Sequence, residues 1–159
     1  MKTPHRLILA LLLGALVALA GCVSTAGAAS PTDTSPSSAS PAEQAPSRTV
    51  LSVSTERHLQ VALHTAHELL DGDDPPTSRA DVIACGPAVE ALVKDGISPE
   101  LSAQIQRLSE RGSRVVACGL SLTQFNIDAD TLHPSVTRVD NAFIEIFRLQ
   151  RQGFLSIEL

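Results

Sequence analysis

The sequence predicts an α/β domain, a three-layer α/β/α sandwich built on a mainly parallel five-stranded sheet. Three observations predict it. Five short β-branched or apolar runs, at 49–53, 82–84, 114–117, 136–139 and 154–159, alternate with stretches whose apolar residues recur at helical spacing. Gly and Pro punctuate the boundaries between them. Strands that alternate with helices fold into parallel sheets with right-handed crossovers, covered on both faces.

Each element has its own signal. Residues 49–53 make a first strand, and Ser54 or Thr55 can cap the helix after it. Leu59, Ala62, Leu63, Ala66, Leu69 and Leu70 give that helix its apolar stripe, and Gly72, Pro75 and Pro76 end it. Residues 82–84 form a brief strand that stops at Cys85-Gly86-Pro87, and 89–94 allow one or two helical turns. Ser98-Pro99-Glu100 is a helix start, with a capping hydroxyl, Pro in the first turn and an acid near the positive dipole end. Leu101, Ile105 and Leu108 line that helix, and Gly112 fits its stop. Residues 114–117 form a third strand running into Cys118-Gly119. A short helix at 121–125 and a loop at 128–134 follow. The fourth strand is 136–139. Residues 141–152 form a helix carrying Phe143, Ile146, Phe147 and Leu149, and 154–159 form the last strand.

Residues 1–47 are organised differently. Lys2 and Arg6 precede an uncharged apolar run, 7–18, too short to cross a bilayer of ~30 Å but suited to the core of a signal peptide. It closes on Leu19-Ala20-Gly21-Cys22, which resembles the lipobox of bacterial lipoproteins. The resemblance implies cleavage before Cys22, a diacylglycerol on its sulfur and an acylated amino terminus. Several buried acyl chains, at ~0.8 kcal/mol per CH₂, hold a protein to a membrane for long periods. Residues 1–21 are then a signal peptide. Residues 22–47 are the lipidated Cys and a disordered Ser/Thr/Ala/Pro-rich spacer with almost no apolar surface to bury. Residues 48–159 are the folded domain. The expected location is the bacterial cell envelope; Val23 in place of Asp resembles sorting to the outer membrane, facing the periplasm, in a cell with two membranes.

Composition excludes several functions. The chain carries a formal net charge of −5 and no basic stripe, which argues against nucleic-acid binding. With no Trp, no Tyr and four Phe it lacks the aromatic platforms of a sugar or peptidoglycan binder. It has neither a Gly-rich phosphate loop nor a Gly-x-Ser-x-Gly elbow, so no cofactor and no conventional catalytic constellation are expected.

The cysteines remain. Cys85 and Cys118 both fall at carboxyl ends of strands, where sites sit in such sheets. The segments Ala84-Cys85-Gly86-Pro87-Ala88-Val89, Val115-Val116-Ala117-Cys118, Asp130-Thr131-Leu132 and Leu149-Gln150-Arg151-Gln152-Gly153-Phe154 resemble the DsrE/DsrF-like family. That resemblance covers nearly all of 48–159. It implies a DsrE-like α/β fold with five parallel strands, passage of persulfide sulfur between cysteines, a protein thiol partner, and assembly as a homotrimer or hexamer. By the same resemblance Cys118 matches the sulfur-accepting position. A thiol just before a helix lies near its partial positive end, which favours the thiolate. A Cys before the Gly-Pro is not implied by the family. Cys85 could resolve a persulfide on Cys118 or staple the sheet. If their strands are neighbours, a separation of about 4.8 Å suits a disulfide. An inert buried thiol is the third reading.

Other polar residues point to less. His64 and His67 with Glu68 lie opposite the apolar stripe and read as a solvated face rather than a zinc site. His133 reads as a surface loop residue, and Asp71, Asp73 and Asp74 as capping and turn residues; no metal is expected. Two functions stay open: a membrane-anchored sulfur or redox carrier acting through Cys118, and a non-enzymatic binding or assembly module whose Cys85–Cys118 pair is structural.

Overall fold

A computed structural model describes residues 45–159. The expected signal peptide, Cys22 and the spacer as far as residue 44 lie outside the described residues.

Strand β1 (Ser47–Val53) ends in five consecutive buried residues. Helix α1 (Glu56–Asp71) follows, with the Thr55 hydroxyl as its cap accepting the His58 N–H at 3.2 Å. Its Leu59, Ala62, Leu63 and Ala66 are buried, the i, i+3, i+4, i+7 stripe the sequence predicts. Strand β2 (Thr77–Ala84) is longer than the apolar run at 82–84. Its first half is polar, and Asp81 hides that strand from an apolar pattern although the residue is wholly buried. Instead of a turn at 89–94, a 3-10 segment spans Gly86–Leu92, opened by Pro87 and burying Ala88, Val89 and Leu92.

Helix α2 (Pro99–Glu110) starts where expected, the Ser98 hydroxyl accepting the Leu101 N–H at 3.1 Å. Strand β3 (Val115–Cys118) is buried throughout and passes directly into α3 (Gly119–Gln124). A 3-10 turn, Ala129–Thr131, interrupts the expected loop. Strand β4 (Val136–Val139), helix α4 (Ala142–Arg151) and strand β5 (Leu155–Glu158) complete the fold. The strands form one all-parallel sheet in the order β4-β3-β2-β1-β5. The α/β sandwich with a five-stranded parallel sheet is the architecture expected.

The two faces are unequally covered. On one, Leu51, Val53, Val82, Ala84, Val115 and Ala117 meet α1, α2 and Leu122 of α3. Fully buried side chains such as Leu59, Leu63 and Ile105 each contribute about 1.5–3 kcal/mol there. On the other, Val50, Ile83, Val116 and Cys118 meet Ala142 and Leu149 of α4 and Phe154, with Val139 and Ile146 half-buried beside them. Of the apolar residues of α4, Phe143 and Phe147 do not join the core. They are 56% and 66% exposed, and the buried residues of α4 are Ala142, Glu145 and Leu149. Among the described residues no helix is long and apolar enough to cross a membrane.

Candidate functional site

Cys118 is the last residue of β3 and Cys85 follows the last residue of β2. Because Ala84 pairs with Ala117, the two cysteines stand side by side at the carboxyl edge of neighbouring parallel strands. Both are free thiols. Cys118 is buried, 2% exposed, whereas Cys85 is half-buried.

Two helix starts converge on the Cys118 sulfur. The backbone N–H groups of Leu120 and Ser121 reach it from the start of α3, the Ala142 N–H from the start of α4, and the Ser121 hydroxyl adds a fourth donor. Burial pushes the Cys118 thiol up, but these donors outweigh it, and its pKa falls below the ordinary thiol value. Cys85 goes the other way. Burial, then the neighbouring Cys118 charge, the hydrogen bond it donates to Cys118 and the Glu158 carboxylate push its thiol up to about 12. The two thiols are therefore unequal acids, and Cys118 is the one that ionises more readily.

The surroundings are built for close approach. A Cβ on Gly119 would meet the Val139 carbonyl at 2.8 Å and that of Asp140 at 3.0 Å, so only glycine lets the β4–α4 turn lie against the end of β3. Gly86 adopts φ +51, the left-handed region in which glycine is at ease, and its N–H donates to the Ser121 hydroxyl at 2.8 Å. Ser121 and Gly119 carry no catalytic signature in the sequence; Cys-Gly followed two residues later by Ser was the available trace.

Beside the cysteines, a cavity of about 360 Å³ lies between α4 and the ends of β1 and β5. Phe143, Ile146, Phe147 and Ile157 supply its apolar wall, and Ser52, Gln150, Ser156 and Glu158 its polar one. Ile146 also packs against the cluster that holds Cys85 and Cys118.

The remaining polar candidates stay apart from this site. His64 faces Glu68 at 3.7 Å, both exposed. His67 is not on the solvated face expected for it; half-buried, it meets the Gln104 carbonyl of α2 at 3.1 Å. Asp71 pairs with Arg111 at the end of α2. His133 is not a free surface residue, because its Nδ1 accepts the Ser135 N–H at 3.2 Å and its Nε2 lies 2.9 Å from the Ser102 hydroxyl. Among the described residues no group of three His, Cys, Asp or Glu is arranged to hold a metal ion.

Comparison with solved structures places this arrangement in a known frame. A protein of unknown function from Methanobacterium thermoautotrophicum, MTH1491, superposes with a TM-score of 0.61 at 25% identity, over 71% of this chain and 99% of that one. The YchN protein of E. coli, which has a DsrE-like fold, superposes with a TM-score of 0.51 at 11% identity, over 70% and 99%. The fold is DsrE-like. BT1422 from Bacteroides thetaiotaomicron, a conserved protein of unknown function, gives 0.50 at 13% identity over 70% of this chain and 94% of its own. No protein-family model matches the chain, and no curated protein matches it.

Proposed function

We propose that the chain is a membrane-anchored DsrE-like lipoprotein that carries sulfane sulfur on Cys118. The observation behind this reading is the convergence of three backbone N–H groups and the Ser121 hydroxyl on one thiol beside a second, protonated thiol. A Cys118 thiolate attacks the terminal sulfur of a donor persulfide; the donor's S–S bond breaks, the donor leaves as its thiolate, and Cys118 becomes a persulfide. The proton on the transferred sulfur can pass to the departing thiolate, so the step balances without a proton from Cys85, whose raised pKa keeps it a thiol. Cys22 anchors the domain through its lipid.

A second reading keeps its own support. Cys118 is almost covered, and adjacent parallel strands suit a disulfide, so the pair could be a staple in a binding or assembly module. Treatment of the fully reduced chain with cysteine persulfide, followed by mass spectrometry, separates the two. The carrier gains one sulfur atom on Cys118, keeps that gain in Cys85→Ser and loses it in Cys118→Ser. A staple gives no adduct, shows no free thiol before reduction and loses stability after it. For the anchor, fatty-acid labelling and membrane association disappear in Cys22→Ser; unchanged membrane association excludes the lipid.

A further inference from the structure

A buried carboxylate sits one helical turn from the N–H that α4 gives to Cys118. Glu145, 5% exposed, accepts from Arg114 Nη2 at 2.8 Å and from Arg148 Nη1. Arg114, at the entry to β3, is itself fixed. Its Nε donates to Asp81 at 3.1 Å and its backbone N–H to the same carboxylate at 3.0 Å. Asp81 is wholly buried and also takes two hydrogen bonds from Arg79, at 2.8 and 2.9 Å. The chain of charges therefore joins β2, β3 and α4.

The position of the network matters more than its energy. Replacing a buried ion pair by apolar groups is often neutral for stability, so packing alone gives no reason for an acid here. Only Ala142, Glu145 and Leu149 of α4 are buried against the sheet, with Ile146 half-buried beside them. Leu149 and Phe154 seat the far end of the helix. At the near end Ala142 offers a single methyl, leaving Glu145 as the strong hold within a turn of it. There the tolerance is small, because the β4–α4 turn already lies against Gly119.

We propose that Glu145 is a positioning residue for Cys118: through Arg114 at the entry to β3 it holds the first turn of α4 on the sheet, where Ala142 packs against Cys118. The inference rests on the reading of Cys118 as the working thiolate. The other charged or titratable groups near that sulfur are Cys85 at the end of β2, Glu158 of β5 behind it, and Asp140 in the β4–α4 turn, held by Arg138 at 3.0 Å.

The test uses the full chain with Cys22→Ser and Cys85→Ser, which leaves Cys118 as the single thiol. With no Tyr or Trp in the chain, the ultraviolet band of the thiolate is read without overlap. Glu145→Ala should lower the thiolate fraction at neutral pH about tenfold, the loss expected of one charge-assisted hydrogen bond. Isosteric Glu145→Gln should lower it less, and Gln106→Ala, an exposed side chain of α2 that bonds Glu110 of the same helix, should leave it unchanged. If Glu145→Ala does not fold, Glu145→Gln decides. Folded Glu145 variants that titrate like their parent overturn the inference. A parent whose Cys118 titrates as an ordinary thiol overturns the functional reading beneath it.

Discussion

At Ser121 a single hydroxyl serves two loops, accepting the Gly86 N–H at 2.8 Å and donating to the Cys118 sulfur. The residue is buried, so nothing from solvent replaces either bond when the oxygen is removed. Ser121→Ala should therefore act twice. Orphaning the Gly86 N–H costs about 1–3 kcal/mol of stability, read from chemical denaturation. Losing a donor to the sulfur raises the Cys118 titration midpoint, read from thiolate absorbance. A variant that is destabilised but titrates like the wild type would assign Ser121 to the loops alone. The same logic explains why the two cysteines differ although their backbones are neighbours: one points its sulfur at helix starts, the other at a thiolate and a carboxylate.

Helix α4 depends on charge where α1 and α2 depend on leucine and isoleucine. Burial pushes the Glu145 carboxyl up, but the Arg114 and Arg148 guanidiniums hold it below the ordinary carboxylate range. A carboxylate whose folded pKa is depressed adds stability above its unfolded value, ~4.3, and that stability is lost as pH falls through the folded value. As pH drops below about 4, amide exchange in Ala142–Arg151 should speed up before that in α1 or α2. Uniform loss of protection across the three helices would count against a local clamp. This dependence was hidden in the sequence for a physical reason. Apolar periodicity located α1, α2 and the stripe Leu101, Ile105, Leu108 because those helices bury hydrocarbon. It located α4 but not its buried face, and truncated β2, because Glu145 and Asp81 are buried as ion pairs and a pairing partner far along the chain leaves no local pattern. Cys85 and Cys118 were legible as strand-end thiols; the donors around Cys118 were not, since backbone N–H groups are identical in every sequence.

For the whole molecule, the contrast between the two sheet edges decides what else to expect. Edge strands invite pairing with another chain unless charge, Pro or cover blunts them. The β4 edge is guarded by Pro134 and by the Arg138–Asp140 ion pair. The β5 edge has only Glu158, and its Leu155 and Ile157 are 63% and 52% exposed. On the opposite side of that edge α4 exposes Phe143 and Phe147. Apolar surface thus wraps around one edge, and patches of that kind mark association sites. We propose a second copy of this chain as the partner of that surface. The reduced full chain should sediment as an oligomer. Phe147→Glu, placing a charge on an exposed side chain that the fold does not need, should shift it to monomer with its circular dichroism unchanged. A stable interface of this class buries roughly 800 Å² per partner, so one central charge is enough to open it. A clean monomer for the wild type at tens of micromolar would rule the assembly out and leave the β5 edge to a different protein.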